Sequence, residues 1–318
     1  MSNFVAVGEC LVELTHQSST ELRLGFAGDT YNTAVYVRRI LGNNDLVSYV
    51  TAVGDDWYSE ALLTEMTFQG IVPQAMRIPG QTPGLYFVRN DSIGERTFTY
   101  HRADSPATMM FSSDWPASLD RTILTGDLIY LSAITLQVLS HSAREHLLTL
   151  LEQAHIAGAT VAFDSNYRAR GWSSAAHAVE VITAVSRFVD VALPTLEDEQ
   201  ALRPGKSAER VIETYHSLGV TEVVMKDGTN PTMISINGQL EYIPLDLIVE
   251  PVDTTGAGDS FNAGYLARRQ QGGSPRDAVR LGQALSAEVV AHRGAIIPLT
   301  ELTAQTVQLN PGLMEGTP

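Results

Sequence analysis

The chain has 318 residues, 44% of them hydrophobic, enough for one large domain, or a domain with an appendage, around a sizeable core. Its 36 acidic residues against 21 lysines and arginines give a formal net charge of −15. That balance argues against a nucleic-acid-binding surface and exerts no long-range pull on anionic ligands, so any anion must be held locally, by backbone N–H groups and a few arginines. No run of about 18 apolar residues offers a membrane span. Cys10 is the only cysteine, which excludes an internal disulfide and reads as a small buried hydrophobe. The opening residues lack the basic and long apolar parts of a signal peptide, and a cytoplasmic location is expected.

In chain order, residues 4–8 read as a first strand, and 11–15 and 21–24 as two short further strands. A helix over 32–41, a strand over 47–53 and a helix over 57–69 follow. Residues 83–89 and 95–102, rich in aromatic and β-branched types, flank a turn of Asn, Asp, Ser and Gly at 90–94 and predict a β-hairpin. Beyond it, strands at 127–131, 160–163, 189–193 and 222–225 alternate with helices at 142–155, 175–185 and 208–218; helices at 260–271 and 275–292 close the pattern. Such alternation predicts a parallel sheet covered by helices on both faces. The hairpin breaks the pattern. With the strands near 11–24 it predicts a small sheet, over about 11–24 and 84–102, projecting from the single domain as a lid; an ordinary sheet extension is the plainer alternative. Phe98, Tyr100 and Arg102 share one strand face, suited to covering a small polar ligand and gripping a carboxylate, or else forming a solvated edge.

Two turns carry the chemistry. In Asp253-Thr254-Thr255-Gly256-Ala257-Gly258-Asp259-Ser260-Phe261, small residues open a helix, so bare backbone N–H groups and the positive end of the helix dipole offer a socket for an anion. A carboxylate at its rim does not favour a phosphate by charge; Asp259 makes better sense as a base taking a proton from an attacking hydroxyl. The stretch is neither a P-loop, lacking Gly-Lys-Ser/Thr, nor a dinucleotide fingerprint, lacking a following βαβ unit. The second turn is Gly25-Phe26-Ala27-Gly28-Asp29-Thr30-Tyr31-Asn32. There Gly28 permits close backbone passage, and Asp29 and Asn32, three apart at a helix start, can hold sugar hydroxyls or simply cap the helix.

Together, Ala27-Gly28-x-x-x-Asn32 near the N-terminus and the 253–261 stretch near the C-terminus resemble the PfkB/ribokinase family of carbohydrate kinases, over essentially the whole chain. Further segments, among them Gly8-Glu9-Cys10-Leu11, Pro83-Gly84-Leu85-Tyr86, Phe163-Asp164-Ser165-Asn166-Tyr167-Arg168 and Arg293-Gly294-Ala295, are similar to the 2-keto-3-deoxygluconate kinase subgroup. The resemblance implies a ribokinase-like three-layer α/β/α domain with a β-sheet lid. It also implies ATP- and Mg²⁺-dependent phosphorylation of 2-keto-3-deoxygluconate at its terminal hydroxyl. By matching position, Gly28, Asp29, Asn32, Tyr86, Tyr100, Arg102, Arg168 and Asp259 would line the sugar site. Asn166, Arg168, Lys226, Gly228 and the Gly256–Ala257–Gly258 turn would meet the nucleotide, with that turn and Asp259 as the catalytic centre.

The chemistry agrees with an acid sugar: a neutral one does not need paired guanidinium groups, whereas Arg102 and Arg168 suit a carboxylate. A structural ion pair is the competing role for Arg168. Transfer is expected to be in line, with Asp259 accepting the hydroxyl proton, the glycine-turn amides and Mg²⁺ absorbing charge, and lid closure excluding water. The chain departs from the family's Asn-x-x-Glu pattern: Thr195 and Asp198 stand in that region, which leaves the Mg²⁺ ligands open. Asp253 and Thr255 resemble positions that bind a monovalent cation in some relatives. A same-fold kinase for fructose, ribose or a nucleoside is the alternative function, and a non-catalytic sugar sensor a more distant one. A homo-oligomer formed through the lid is the expected assembly.

Overall fold

The first strand sets the plan of the molecule. Along β1 (Asn3–Val7), Phe4 and Ala6 enter one apolar cluster and Val5 and Val7 another, all fully buried. A strand buried on both faces belongs inside a parallel sheet sandwiched by helices. A computed structural model, which describes residues 2–42, 44–90 and 96–302, has this arrangement. The chain continues through β2 (Leu11–His16), β3 (Leu22–Ala27), α1 (Asp29–Ile40), β4 (Leu46–Val53), α2 (Trp57–Phe68), β5 (Val72–Arg77), β6 (Leu85–Asn90) and β7 (Arg96–His101). Then come α3 (Ala117–Leu124), β8 (Leu128–Ser132), α4 (Ala133–Val138), α5 (His141–Ile156), β9 (Thr160–Asp164), α6 (Ala175–Ser186) and β10 (Val191–Ala192). The last elements are α7 (Leu196–Leu202), α8 (Ala208–Ser217), β11 (Glu222–Met225), β12 (Thr232–Ile236), β13 (Gln239–Ile243), α9 (Ala257–Gln270) and α10 (Pro275–Val290).

The main sheet runs β13-β12-β11-β10-β9-β8-β1-β4-β5, parallel except for the β11-β12-β13 meander at one edge. One face is covered by α3, α5, α6 and α8, the other by α1, α2, α9 and α10. Helix starts are fixed by side chains: Asp56, Ser140, Ser174, Ser207 and Ser274 each accept a bond from an amide in the first turn of α2, α5, α6, α8 and α10.

A second sheet, β3-β2-β6-β7, stands apart from the first. β6 and β7 pair antiparallel, as the expected hairpin does, and Tyr86 lies opposite Tyr100. Of the expected 90–94 turn, residues 91–94 lie outside the described residues. Tyr86, Val88, Leu11 and Ala27 form a small core of this sheet, with Phe98 against it. Phe98 and Tyr100 do share a face, their rings stacked at 6.3 Å between centroids.

The C-terminal ends of the parallel strands all open on one side, where open α/β sheets bind their ligands. The chain leaves β1 there at Gly8, β9 at Ser165 and β11 at Lys226. Elements beyond the sequence reading are β5, β12, β13, α3, α4 and α7.

Candidate active site

The start of α9 is built for close approach. Its N-cap, Gly256, has φ 78°, a left-handed conformation natural to glycine, and a Cβ there would stand 2.8 Å from the Ala295 carbonyl oxygen. The Ala257 N–H is spent on the Thr254 carbonyl at 3.2 Å. The anion socket is therefore narrower than three consecutive amides: among the described residues, it is the N–H groups of Gly258 and Asp259 that have no backbone partner at this helix start.

Asp259 is wired to the second turn. Its Oδ2 accepts from Asn32 Nδ2 at 2.8 Å, and Asn32 Oδ1 in turn accepts from the Gly28 N–H at 3.3 Å. The Thr33 hydroxyl donates within reach of both the Asp29 and Asp259 carbonyls. Gly28 has no room for a side chain, since a Cβ would lie 2.2 Å from the Glu9 carbonyl oxygen. Asp29 Oδ2 accepts from Asn166 Nδ2 at 2.7 Å. Asn166, expected among the nucleotide contacts, is thus joined to the same turn as Asp29 and Asn32.

Below Asp259 lies a buried polar cluster. Lys226 Nζ donates to Asp164 Oδ2 at 2.8 Å and to Asn262 Oδ1 at 2.9 Å. Asn262 Nδ2 donates to Asp164 Oδ2 at 2.6 Å and to the Tyr130 hydroxyl at 3.0 Å. All four side chains are buried. Asp164 and Asn262 were not singled out from the sequence. Asn262 follows Asp259 by one helical turn and so shares its face, and Asp164 sits at the end of β9, two residues before Asn166; these were the available signals.

On the small-sheet side, a cavity of about 790 Å³ is lined by Gly84, Tyr100, Arg102, Gln137 and Arg168, among others. Both arginines already have carboxylate partners. Arg102 pairs with buried Glu9, and Arg168 Nη1 lies 2.8 Å from Asp198 Oδ1. Tyr86 donates its hydroxyl to Glu13 rather than leaving it open. Gln137 Nε2 donates to the Arg168 carbonyl at 2.7 Å and steadies that loop. A second cavity, of about 240 Å³, is lined by Thr195, Lys226, Gly228, Ala257, Gly258 and a set of aliphatic side chains that includes Leu247 and Ile248.

The charges shape the protonation states. Burial, and next the negative charge of Asp29, push the Asp259 carboxyl up to about 8, against the pull of Asn32 and Lys226. Burial also raises Asp198 despite Arg168, and raises Glu9 despite Arg102. For Arg168, burial pulls downward, but the carboxylates around it, Asp198 foremost, leave it raised. Among the described residues, no group of three or more His, Cys, Asp or Glu side chains is placed to hold a metal ion. Mg²⁺ carried on a triphosphate needs only one or two protein oxygen ligands and completes its shell with phosphate oxygens and water, and Thr195 and Asp227 line the cavity beside Gly228 and Gly258. Asp253, buried, accepts from the Thr255 and Gly294 amides.

A parallel sheet with its strand ends converging on a glycine-opened helix and a half-buried carboxylate is the frame of a kinase for small hydroxyl-bearing molecules. Residues 1–302 match the model of the pfkB family carbohydrate kinases, and the chain belongs to that family. It is 40% identical over 310 residues to a 2-dehydro-3-deoxygluconokinase of Escherichia coli K12, spanning 96% of this chain and all of that protein. With the enzyme of the same name from Dickeya dadantii 3937 it shares 39% over 307 residues, 95% of this chain and 99% of the other. A solved fructokinase with bound ATP from Xylella fastidiosa superposes with a TM-score of 0.82 at 20% identity, over 96% of this chain and 97% of that one. The fold is ribokinase-like, as the sequence motifs implied.

Proposed function

We propose that this protein transfers the γ-phosphoryl group of ATP to the terminal hydroxyl of 2-keto-3-deoxygluconate, the compound also called 2-dehydro-3-deoxygluconate. The observation that carries this reading is one cavity, of about 790 Å³, lined by Arg102, Arg168 and Tyr100 together. Relatives about 40% identical that bear the name of this activity support it.

In this reading Arg102 and Arg168 bind the substrate carboxylate, while Gly28, Asp29 and Asn32 hold its hydroxyls. Tyr86 and Tyr100 cover it from the small sheet, which acts as the lid. Asp259 removes the hydroxyl proton, and the amides at the start of α9 receive the charge on the phosphoryl oxygens. The aliphatic cavity beside Gly228, Ala257 and Gly258 takes the nucleotide. Mg²⁺, when bound, neutralises phosphate charge, and Asp198 and Thr195 are the side chains assigned to its vicinity. The cytoplasm is the proposed compartment, and a homo-oligomer through the lid the proposed assembly. Asp253 and Thr255 are the residues proposed for a monovalent cation.

One observation favours a second reading. The two arginines are already neutralised by Glu9 and Asp198, so the cavity would also accept a neutral sugar. An assay of ADP release over a panel separates the two. Turnover is expected with 2-keto-3-deoxygluconate or its galactonate epimer and not with fructose, ribose or a nucleoside. Activity on the neutral sugars with none on the keto-deoxy acids would overturn the proposed substrate.

A further inference from the structure

Lys226 is placed more deeply than a residue that only brushes a nucleotide. It follows β11 directly, its backbone tied on both sides to the 194–196 segment: its N–H donates to the Pro194 carbonyl at 2.9 Å and its carbonyl accepts from the Leu196 N–H at 2.8 Å. The side chain is 7% exposed as a residue, and Nζ is held from two directions, by Asp164 and by Asn262. An ammonium has three N–H bonds. Among the described residues, two of them are spent in these contacts.

The direction of Nζ follows from the glycine turn. A Cβ built on Gly258 would lie 3.6 Å from Nζ, in ordinary contact. The ammonium therefore stands close beside Gly258 in the first turn of α9, where the unspent amides are. Lys226 and Gly258 also line the same cavity, of about 240 Å³. The lysine and the glycine turn thus line one small volume from different elements.

We propose that Lys226 is a further catalytic residue, whose third N–H bonds an oxygen of the phosphoryl group in flight above the start of α9. The inference rests on the phosphoryl-transfer reading above. In the step, the sugar hydroxyl gives its proton to Asp259 and its oxygen forms a bond to the γ-phosphorus. The bond from that phosphorus to the bridging oxygen breaks, and ADP leaves with the electron pair. Lys226 keeps its proton throughout and stabilises charge on the transferring oxygens. Asp164 and Asn262 hold the ammonium in place, as positioning residues. The role parallels the lysine of P-loop enzymes, reached here from a strand end instead of a loop.

The test is Lys226→Met in the full-length enzyme, assayed with whichever sugar the wild type phosphorylates, so that a wrong sugar assignment leaves it intact. The expected result is a loss of about 100-fold in kcat, the size seen when one preorganised donor is removed from a charged transition state. The KM for ATP should change by less than about threefold, the mark of an interaction made only in the transition state. The acid limb of the kcat/KM profile should also move to higher pH, because Lys226 acts on Asp259 against its upward shift. An unchanged kcat, or a raised ATP KM with kcat intact, overturns the proposal. Because the single change strands Asp164 as a buried unpaired charge, the double variant Asp164→Asn with Lys226→Met decides the case if the single variant does not fold. Continued loss of kcat in the folded double variant supports a catalytic lysine; recovery to near wild-type kcat shows that Lys226 only neutralised Asp164, and overturns it.

Discussion

Two carboxylates, Asp259 and Asp29, stand at the candidate site, and Asp29 acts on Asp259. Asp259, lifted to about 8 by burial and by Asp29, is well matched to a base that must accept a proton near neutral pH. In the proposed mechanism the base must be ionised, and below about 8 Asp259 of the free enzyme still holds its proton, so kcat/KM should climb as pH rises towards 8 and then level off. Asp29→Asn removes the like charge while keeping an oxygen for Asn166, and should move the climbing limb to lower pH. A limb that stays where it was would assign it to another group. The same shift fixes the sign of a stability effect. An aspartate in the unfolded chain ionises near 3.8, whereas Asp259 in the folded protein ionises near 8. Between these values the folded state keeps a proton the unfolded chain has released, so raising the pH across that window lowers stability, and above it the penalty is constant. Asp259→Asn is free of the penalty. It should melt above the wild type by a margin that grows from about pH 4 to about pH 8 in calorimetry, while turnover falls by about 10²–10⁴-fold. A margin that narrows with rising pH would contradict the shift.

At the scale of elements, the start of α9 pairs a crowded glycine with the candidate catalytic turn. Gly256 and Gly272 bracket the helix, both at positive φ, 78° and 80°, but only Gly256 is crowded, against Ala295. Gly272→Ala should cost about 1–2 kcal/mol, the price of a left-handed alanine. Gly256→Ala should cost clearly more, since the backbone of 294–296 must also move. Urea midpoints of the two variants compare them directly, and equal losses would show that the crowding is relieved at no expense.

The elements with a clear period were legible: β1, β4, β8, β9 and the amphipathic helices α5, α8 and α10 stand within a residue or two of their expected places. The β12–β13 hairpin carried an unused signal, Asn237-Gly238, whose φ values of 48° and 82° suit a tight hairpin turn. α4 and α7, of 6 and 7 residues, are too short to display a helical period. At the site, the two turns were legible because each packs its chemistry into ten residues or fewer. The Asp164, Lys226 and Asn262 cluster was not, because its bonds join positions 62 and 98 residues apart in the chain. The ion pairs of Arg102 with Glu9 and Arg168 with Asp198 were hidden for the same reason: sequence patterns expose an arginine but not the partner that the fold brings to it.

For the whole molecule, the small sheet is rooted where the ligands would sit. The chain enters and leaves it at Cys10, Gly28, Gly84 and Arg102, and a Cβ on Gly84 would meet Leu11, Arg102 and Glu9 at 2.7–3.0 Å. Movement of this sheet therefore cannot be separated from the position of Arg102, which is the property a substrate-sensing cover needs. Its outer margin is a different matter. β3 is an edge strand, the 4-stranded sheet ending with it, and it carries Leu22 and Leu24 at 45% and 39% exposure. An edge with unpaired backbone groups and exposed leucines is a template for pairing with another chain unless charges or a covering element protect it. The net charge of −15 is spread over the chain as a whole and opposes self-association only weakly at physiological salt, where screening acts within about 8 Å. A second copy of the same edge is the partner that closed two-fold symmetry makes most economical. Light scattering on the eluting protein should accordingly give twice the 34.5 kDa chain mass at micromolar concentration. Leu24→Lys, which places a charge on that edge without touching the site, should shift the mass towards one chain. A wild type that elutes as a monomer, or a Leu24→Lys protein that stays dimeric, would remove this edge from the assembly.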